Sequence, residues 1–281
     1  MCTDIIIPVH NRRELLNRAI GSIFSQTVKN WNLYIVDDAS TEYSSLSLQP
    51  DPRINIIRLP ANAGPSHARN LGAASGVCPY ISFLDSDDYW HPRKLEKQIL
   101  YFNEHPQIQW VHTDEKWIKN GTEIFPQKKH QKRSGKFMEE NFERCLISPS
   151  AVCFRRAFWE NSGGFSTSFR VAEDYELWLR LNVDYPIGLV EEKLTVKTAG
   201  NWGQLSRSLE MDRKRVLALH RFYRNFRKHP DFTHLKNSFF SRAEKKISIL
   251  ISGARKYHKY RRLLEYQSWS KVFIRLRTKF N

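Results

Sequence analysis

Four short apolar runs, Ile5–Val9, Leu33–Val36, Ile54–Leu59 and Tyr80–Leu84, alternate with segments of helical spacing over residues 5–102. Runs of this length suit strands buried on both faces. Between the first two, Leu15, Leu16, Ala19, Ile20, Ile23 and Phe24 fall on one helix face. Gly64-Pro65 opens a second helix, with proline in its first turn, running through Ala68, Leu71 and Ala74 to a stop at Gly76. His91-Pro92 starts a third, carrying Leu95, Ile99 and Phe102. Strand, helix and strand in this rhythm predict an α/β fold, a mostly parallel sheet with helices on both faces.

The pattern loosens beyond residue 105. Trp110–Thr113 and Glu115–Ile118 read as two strands, followed by the tight-turn pair Asn120-Gly121. Residues 126–136 read as an exposed basic loop, Ala151–Phe154 as a strand and Glu173–Leu181 as a short helix. Ile187–Val190 and Leu194–Val196 are the last expected strands, and from Ser208 onward the pattern is wholly helical.

With 41% apolar and 26% charged residues in 281, the chain is neither collagenous nor disordered, and it is long enough for one large domain or one plus an appendage. Its longest aliphatic run, Ile5–Ile7, falls far short of the ~20 residues that span a bilayer. The N-terminus shows no basic n-region, so no signal peptide is expected. Cys2, Cys78, Cys145 and Cys153 lack metal-site spacing. They predict neither a zinc site nor a disulfide framework, and a reducing cytoplasm is the simplest home. The net charge of +16 is concentrated: residues 213–281 hold 20 Lys and Arg against 3 Asp and Glu, and the rest of the chain is near neutral.

Two acidic clusters follow apolar runs, Asp37-Asp38 and Asp85-Ser86-Asp87-Asp88. In open α/β sheets the ligand crevice lies beyond the carboxyl ends of the strands, where both clusters fall. Adjacent carboxylates repel by roughly 4 kcal/mol per pair at 4 Å and an effective dielectric of 20. A hard divalent cation with oxygen ligands would offset that repulsion. Read alone, the second cluster serves equally as a solvated turn capping the helix at Pro92.

IIIPVHNR (Ile5–Arg12), VDDAS (Val36–Ser40), NAGPSHARNLG (Asn62–Gly72), FLDSDDYW (Phe83–Trp90) and AEDYELWLR (Ala172–Arg180) resemble, in order and spacing, the motifs of the family 2 glycosyltransferases of GT-A fold. The likeness covers roughly residues 3–205 and includes Ser148-Pro149-Ser150, Phe154-Arg155-Arg156 and Gly163-Gly164-Phe165. It implies a Rossmann-like GT-A domain over residues 1–205, a nucleotide-sugar donor with a uridine nucleotide, a divalent metal (manganese or magnesium) and transfer with inversion. Carried over by position, Pro8, Val9 and Asn11 line the nucleotide pocket, and Asp38, with Asp37 beside it, accepts from the base. Arg69 approaches base or diphosphate. Asp87 ligates the metal, Asp85 holds ribose, and Asp88 completes the coordination. Asp174 is the general base. Glu173, Trp202 and Gln204 are expected to contact donor or acceptor.

The chemistry accounts for these residue types. A departing nucleoside diphosphate develops negative charge, which a metal neutralises. A sugar hydroxyl is a weak nucleophile, so a carboxylate must take its proton as the new bond forms. Asp174 could also be an ordinary helix cap beside Glu173. His67 reads as an exposed helical histidine, His112 and Asp114 as fold residues, and Leu177 and Trp178 as core. Some relatives carry a histidine after the last strands; here that stretch is Gly200–Gln204, without one.

Residues 206–281 form the expected basic helical extension. Twelve aromatics are interleaved with the basic residues of 213–281. Such helices suit an anionic membrane surface, which in turn suits a lipid-linked saccharide acceptor. They suit equally a cap that packs its aromatics on the catalytic domain. This places the chain in the cytoplasm, peripheral on the inner face of the membrane if the helices bind it, in cell-surface polysaccharide or glycolipid synthesis. The rival reading is a nucleic-acid- or membrane-binding protein with an inactive sugar-nucleotide domain. Nucleic acid is disfavoured because no helix-turn-helix, zinc-finger or RNP signature is present. A dehydrogenase is excluded by the want of GxGxxG after the first strand.

Overall fold

The computed structural model describes residues 1–41, 50–200, 208 and 210–278. The chain runs β1 (Thr3–Val9), α1 (Arg13–Phe24), β2 (Trp31–Asp37), β3 (Ile54–Arg58), α2 (Pro65–Ala74), β4 (Tyr80–Phe83), β5 (Tyr89–Trp90) and α3 (Lys94–Glu104). It continues through β6 (Trp110–Lys119), β7 (Thr122–Ile124), α4 (Met138–Glu143), β8 (Val152–Arg155), α5 (Arg156–Asn161), α6 (Glu173–Asn182) and β9 (Gly188–Ala199). Three helices follow: α7 (Met211–Phe226), α8 (Phe232–Lys256) and α9 (Tyr260–Thr278).

One sheet collects the strands in the order β3-β2-β1-β4-β8-β6-β9-β5, with β7 paired to β6. β1 to β4 are mutually parallel. β8 enters antiparallel to both β4 and β6, and β6 pairs with β9 in parallel. The longest ladders are the parallel ones, as the strand–helix rhythm predicts.

Strand β1 shows why helices cover both faces. Ile5, Ile7 and Val9 pack with Leu16, Ala19, Ile20 and Ile23 of α1. Ile6 points the other way, among Ala68 and Ala73 of α2, Val36, Ile81 and Phe83. A side-chain period of two thus serves two cores. A Cβ on Gly72 would come within 2.6 Å of Ile6, so glycine is needed for this close approach of helix to sheet.

Several expectations are corrected. Residues 110–119 form a single strand rather than two, irregular at Thr113, Asp114 and Glu115 where its register against β9 shifts. Residues 188–199 are likewise one strand, because the two pair from Val111–Gly188 to Lys119–Ala199 across the register shifts. β5, two residues long, carries no periodic signal and was not expected; it exists by pairing with β9. α3 starts at Lys94, two residues beyond Pro92. Within the 126–136 loop, Lys132 is buried against Glu115. Cys2 and Cys78 are joined in a disulfide, contrary to the reading that none is indicated. The parallel pairing of β1 and β4 brings them together across 76 residues, and the cysteine argument for a reducing compartment loses its premise.

The extension packs its aromatics inward. Phe222, Tyr223, Phe232, Phe239, Phe240 and Phe273 form one core with Met138 and Phe142 of α4 and Tyr175, Leu179 and Val183 around α6. The Phe142 ring lies 5.4 Å from Phe222 and 5.2 Å from Phe239. The packing of these aromatics matches the capping alternative, while Tyr257, Tyr260 and Leu264 stay exposed at the α8–α9 turn. Among the described residues no helix is long and apolar enough to cross a membrane.

Candidate active site

A cleft of about 890 Å³ opens beyond the carboxyl ends of β1, β2 and β4 and extends across to the start of α6. Pro8, Val9, Asn11, Asp38, Arg69, Asp85, Asp87, Asp88, Glu173 and Asp174 all line it. Motifs spread over more than 160 positions of sequence thus meet in one cavity.

On one wall, Asp38 accepts hydrogen bonds from the backbone N–H of Ala63 (2.6 Å) and Gly64 (2.9 Å). Both carboxylate oxygens are thereby tied to the loop that starts α2. Asn11 braces the same wall: its N–H donates to Ser40 Oγ and its side-chain oxygen accepts from the N–H of Thr41, each at 2.9 Å. Asn11 and Ala39 hold positive φ angles of 50° and 57°, which turn the chain sharply beside Asp38. Asp37 departs from expectation. It is fully buried, accepts from the Ser40 N–H and faces Arg58 at 3.6 Å, but it does not line the cleft. Asp37 is the last residue of β2, whereas Asp38 lies just past the strand, beside the turn at Ala39.

At the floor, each carboxylate of the acidic cluster meets a side-chain cation. Arg69 lies 2.6 Å from Asp85, Arg12 3.2 Å from Asp87, and Lys197 2.8 Å from Asp88. Burial opposes ionisation of Asp85, yet Arg69 and Lys197 hold its carboxyl below the usual range. Asp88 is pushed up to about 6 by burial, against the pull of Lys197 and with Asp87 and Asp85 adding to the rise. Its Oδ2 also accepts from Ser150 Oγ at 2.6 Å, and its Oδ1 from the Thr198 N–H at 3.0 Å. Arg18 of α1 donates to the Asp87 carbonyl (2.6 Å) and to Thr198 Oγ1 (2.8 Å), tying the acidic turn to β9.

Arg69 is buried and bridges the site. Its other guanidinium nitrogen donates to Glu173 at 2.8 Å, and its plane lies 5.1 Å from the Phe165 ring. Burial drives the Glu173 carboxyl up to about 7; Arg69 opposes the shift and Asp174 adds to it. Ala172, in the left-handed region at φ 59°, turns the chain immediately before this pair. Asp174 is half-buried, with its Oδ2 3.5 Å from the Cys145 thiol. It is the second residue of α6, not its cap.

A carboxylate network supports the far wall. Glu115 faces Lys132 at 2.8 Å and accepts from Ser148 (2.6 Å) and the Trp117 indole (2.9 Å). Of the residues expected elsewhere, His67 is exposed and lies outside the cleft. His112 is buried with its ring 2.8 Å from the Arg133 carbonyl, as a fold residue should be. Trp202 and Gln204 lie outside the described residues. Sequence reasoning missed Arg12, Lys197, Glu115 and Lys132. Lys197 carried a usable signal, being a charge inside an otherwise uncharged strand run, Leu194–Thr198.

Asp85, Asp87 and Asp88 bring carboxylate oxygens within 4.8 Å of one another. An all-oxygen, triply acidic donor set fits a hard divalent cation such as manganese or magnesium. Asp85 and Asp87 fit this role better than Asp88, whose oxygens already accept three hydrogen bonds.

A parallel half-sheet opening onto an acidic cleft, faced by a carboxylate on a later helix, defines the class: a GT-A-like α/β fold. The chain belongs to glycosyl transferase family 2, whose model matches residues 4–162. An uncharacterized glycosyltransferase of Rickettsia felis is 33% identical over 202 residues, 68% of this chain but 32% of that protein. The chain therefore spans about a third of the length of that relative. The putative colanic acid biosynthesis glycosyl transferase WcaA of Escherichia coli K12 is 28% identical over 88% of this chain and 85% of its own. Staphylococcus aureus TarS 1–349, solved in complex with UDP-GlcNAc, shares the fold with a TM-score of 0.64 and 16% identity, over 98% of this chain and 92% of that one.

Proposed function

We propose that this chain transfers a sugar from a nucleotide-sugar donor, with a uridine nucleotide, to a saccharide or lipid-linked saccharide in cell-surface polysaccharide or glycolipid synthesis. The observation that carries this reading is the convergence of Asp38, the Asp85–Asp88 cluster and Asp174 on one cleft. Relatives named for colanic acid synthesis and for glucosyl transfer to a GlcNAc-diphosphoundecaprenol point the same way.

In this reading Pro8, Val9, Asn11 and Asp38 receive the base, Asp85 the ribose, and Asp37 acts only through the turn it holds. Asp85 and Asp87 hold the divalent metal, which supplies neutralising charge for the departing diphosphate. Asp174 takes the proton of the acceptor hydroxyl as that oxygen bonds to the anomeric carbon, and the bond to the donor diphosphate breaks on the opposite face, giving inversion. Glu173, locked to Arg69, sets the place of Asp174. Residues 1–205 form the catalytic part and 206–281 an extension whose exposed α8–α9 turn, with Tyr257, Tyr260 and neighbouring cations, rests on an anionic membrane surface at its inner face.

Calorimetric titration of UDP, GDP and TDP, each with and without manganese, tests the reading. Metal-enhanced binding of one nucleotide supports it. A folded protein that binds none of them overturns it.

A further inference from the structure

Lys197 stands where β9 reaches the cleft, and no motif assigns it a role. Its side chain is 30% exposed, it lines the cavity, and its ammonium lies 2.8 Å from Asp88 and 3.8 Å from Asp85. Asp88 beneath it is 1% exposed. That carboxylate is occupied by Lys197, by Ser150 and by the Thr198 backbone. Three donors on one buried carboxylate describe an anchor for the end of β9 rather than an open metal ligand.

The charges point to the ligand. Three carboxylates alone would repel a diphosphate. Here Arg12, Arg69 and Lys197 stand against Asp87, Asp85 and Asp88, so an arriving polyanion meets cations among the carboxylates. Of the three cations, Arg69 is buried and committed to Asp85 and Glu173. Lys197 is partly exposed, and an ammonium has three N–H donors, of which Asp88 takes one.

We propose that Lys197 binds the diphosphate of the donor and that Asp88 is its positioning residue, not a ligand of the metal. As the bond from anomeric carbon to diphosphate oxygen breaks, the electron pair passes to that oxygen, and the Lys197 ammonium lies among the groups that stabilise the resulting charge. This rests on the nucleotide-sugar reading above.

The test is calorimetry on the full chain with UDP and UMP, in manganese and in EDTA, for the parent, Lys197→Gln and Lys197→Arg. Loss of a charge-assisted hydrogen bond predicts roughly tenfold weaker UDP binding by Lys197→Gln in both media. UMP, which lacks the second phosphate, should change less than about twofold. Lys197→Arg keeps the charge and should recover UDP binding to within about threefold of the parent. Equal UDP affinity in parent and Lys197→Gln overturns the proposal while leaving the donor reading intact. Equal losses for UDP and UMP also overturn it, because the effect then does not follow the second phosphate. If the parent binds no nucleoside diphosphate, donor reading and proposal fall together.

Discussion

Arg69 Nη1 lies 2.8 Å from Glu173 Oε1, a contact between residues 104 positions apart. The same guanidinium holds Asp85 at 2.6 Å through its other terminal nitrogen. One planar fork thus fixes the acidic turn after β4 relative to the helix that carries Asp174. A lysine offers a single point charge and could not make both bonds in this geometry.

Arg69→Met strips that fork, leaving buried Glu173 without the cation that faces it and partly buried Asp85 with the more distant Lys197. Breaking a buried ion pair from one side costs about 3–5 kcal/mol. Urea unfolding near pH 7 should show a loss in that range, and a loss below about 1 kcal/mol would mean that the bridge does not hold the two motifs together.

Asp174→Asn keeps the size of the side chain and removes the proton acceptor. Sugar transfer should fall by roughly 10²–10⁴, while nucleotide affinity measured by calorimetry stays at the parental value. Transfer at the parental rate would remove Asp174 from the role of base.

Lys94 is a buried lysine, beside Trp90 at 3.9 Å and bonded to Gln98 at 2.7 Å. Burial lowers its pKa to about 7. Between that value and the ordinary lysine range the unfolded chain binds the extra proton, so stability from this site rises with pH across that window. Below pH 7 the folded protein must bury the charge. Comparing Lys94→Met with the parent by urea unfolding, the difference should shift in the parent's favour from pH 6.5 to pH 10. A difference independent of pH contradicts the neutral buried amine.

Phe239 is fully buried and touches Phe142, Phe222, Phe232 and Tyr223. Phe239→Ala should destabilise the whole protein by about 3–5 kcal/mol. A chain ending at residue 205 exposes the same core and should aggregate on size-exclusion chromatography. A monomeric, cooperatively unfolding 1–205 fragment would show that the catalytic part stands alone.

Tyr257, Tyr260 and Leu264 are 65–69% exposed beside Arg255, Lys256, Lys259 and Arg261. Changing all three to serine should leave the fold intact and reduce co-sedimentation with phosphatidylglycerol vesicles several-fold, from lost apolar insertion. Equal sedimentation by both forms, or none by the parent, removes the membrane contact.

The sequence exposed what local chemistry dictates. Ile5–Val9 and Tyr80–Leu84 read as strands because both faces are apolar, and α1 reads as a helix because Leu16, Ala19, Ile20 and Ile23 repeat at its pitch. The ordered motifs located the acidic cluster and Asp174. What stayed hidden depends on partners distant in sequence. Residues 110–119 look like two strands because the irregularity at Asp114 breaks the alternation, and only the ladder with β9 shows them to be continuous. Asp37 and Asp38 are adjacent in sequence, yet Asp38 lines the cleft while Asp37 is buried against Arg58 and the Ser40 backbone. Lys132 belongs to a basic stretch with every sign of solvation, yet it is drawn in by Glu115, itself unremarkable in a strand of mixed polarity.

The shared core of α4, α6 and α7–α9 also bears on how such a chain can be recombined. The contact between α4 and α6 and the last three helices runs through tightly packed rings, not across a wet hinge. A chimera that exchanges the last three helices therefore has to bring matching residues on α4 and α6 with them. A substitution in the extension that moves α6 moves Asp174 with it, since Asp174 is the second residue of that helix.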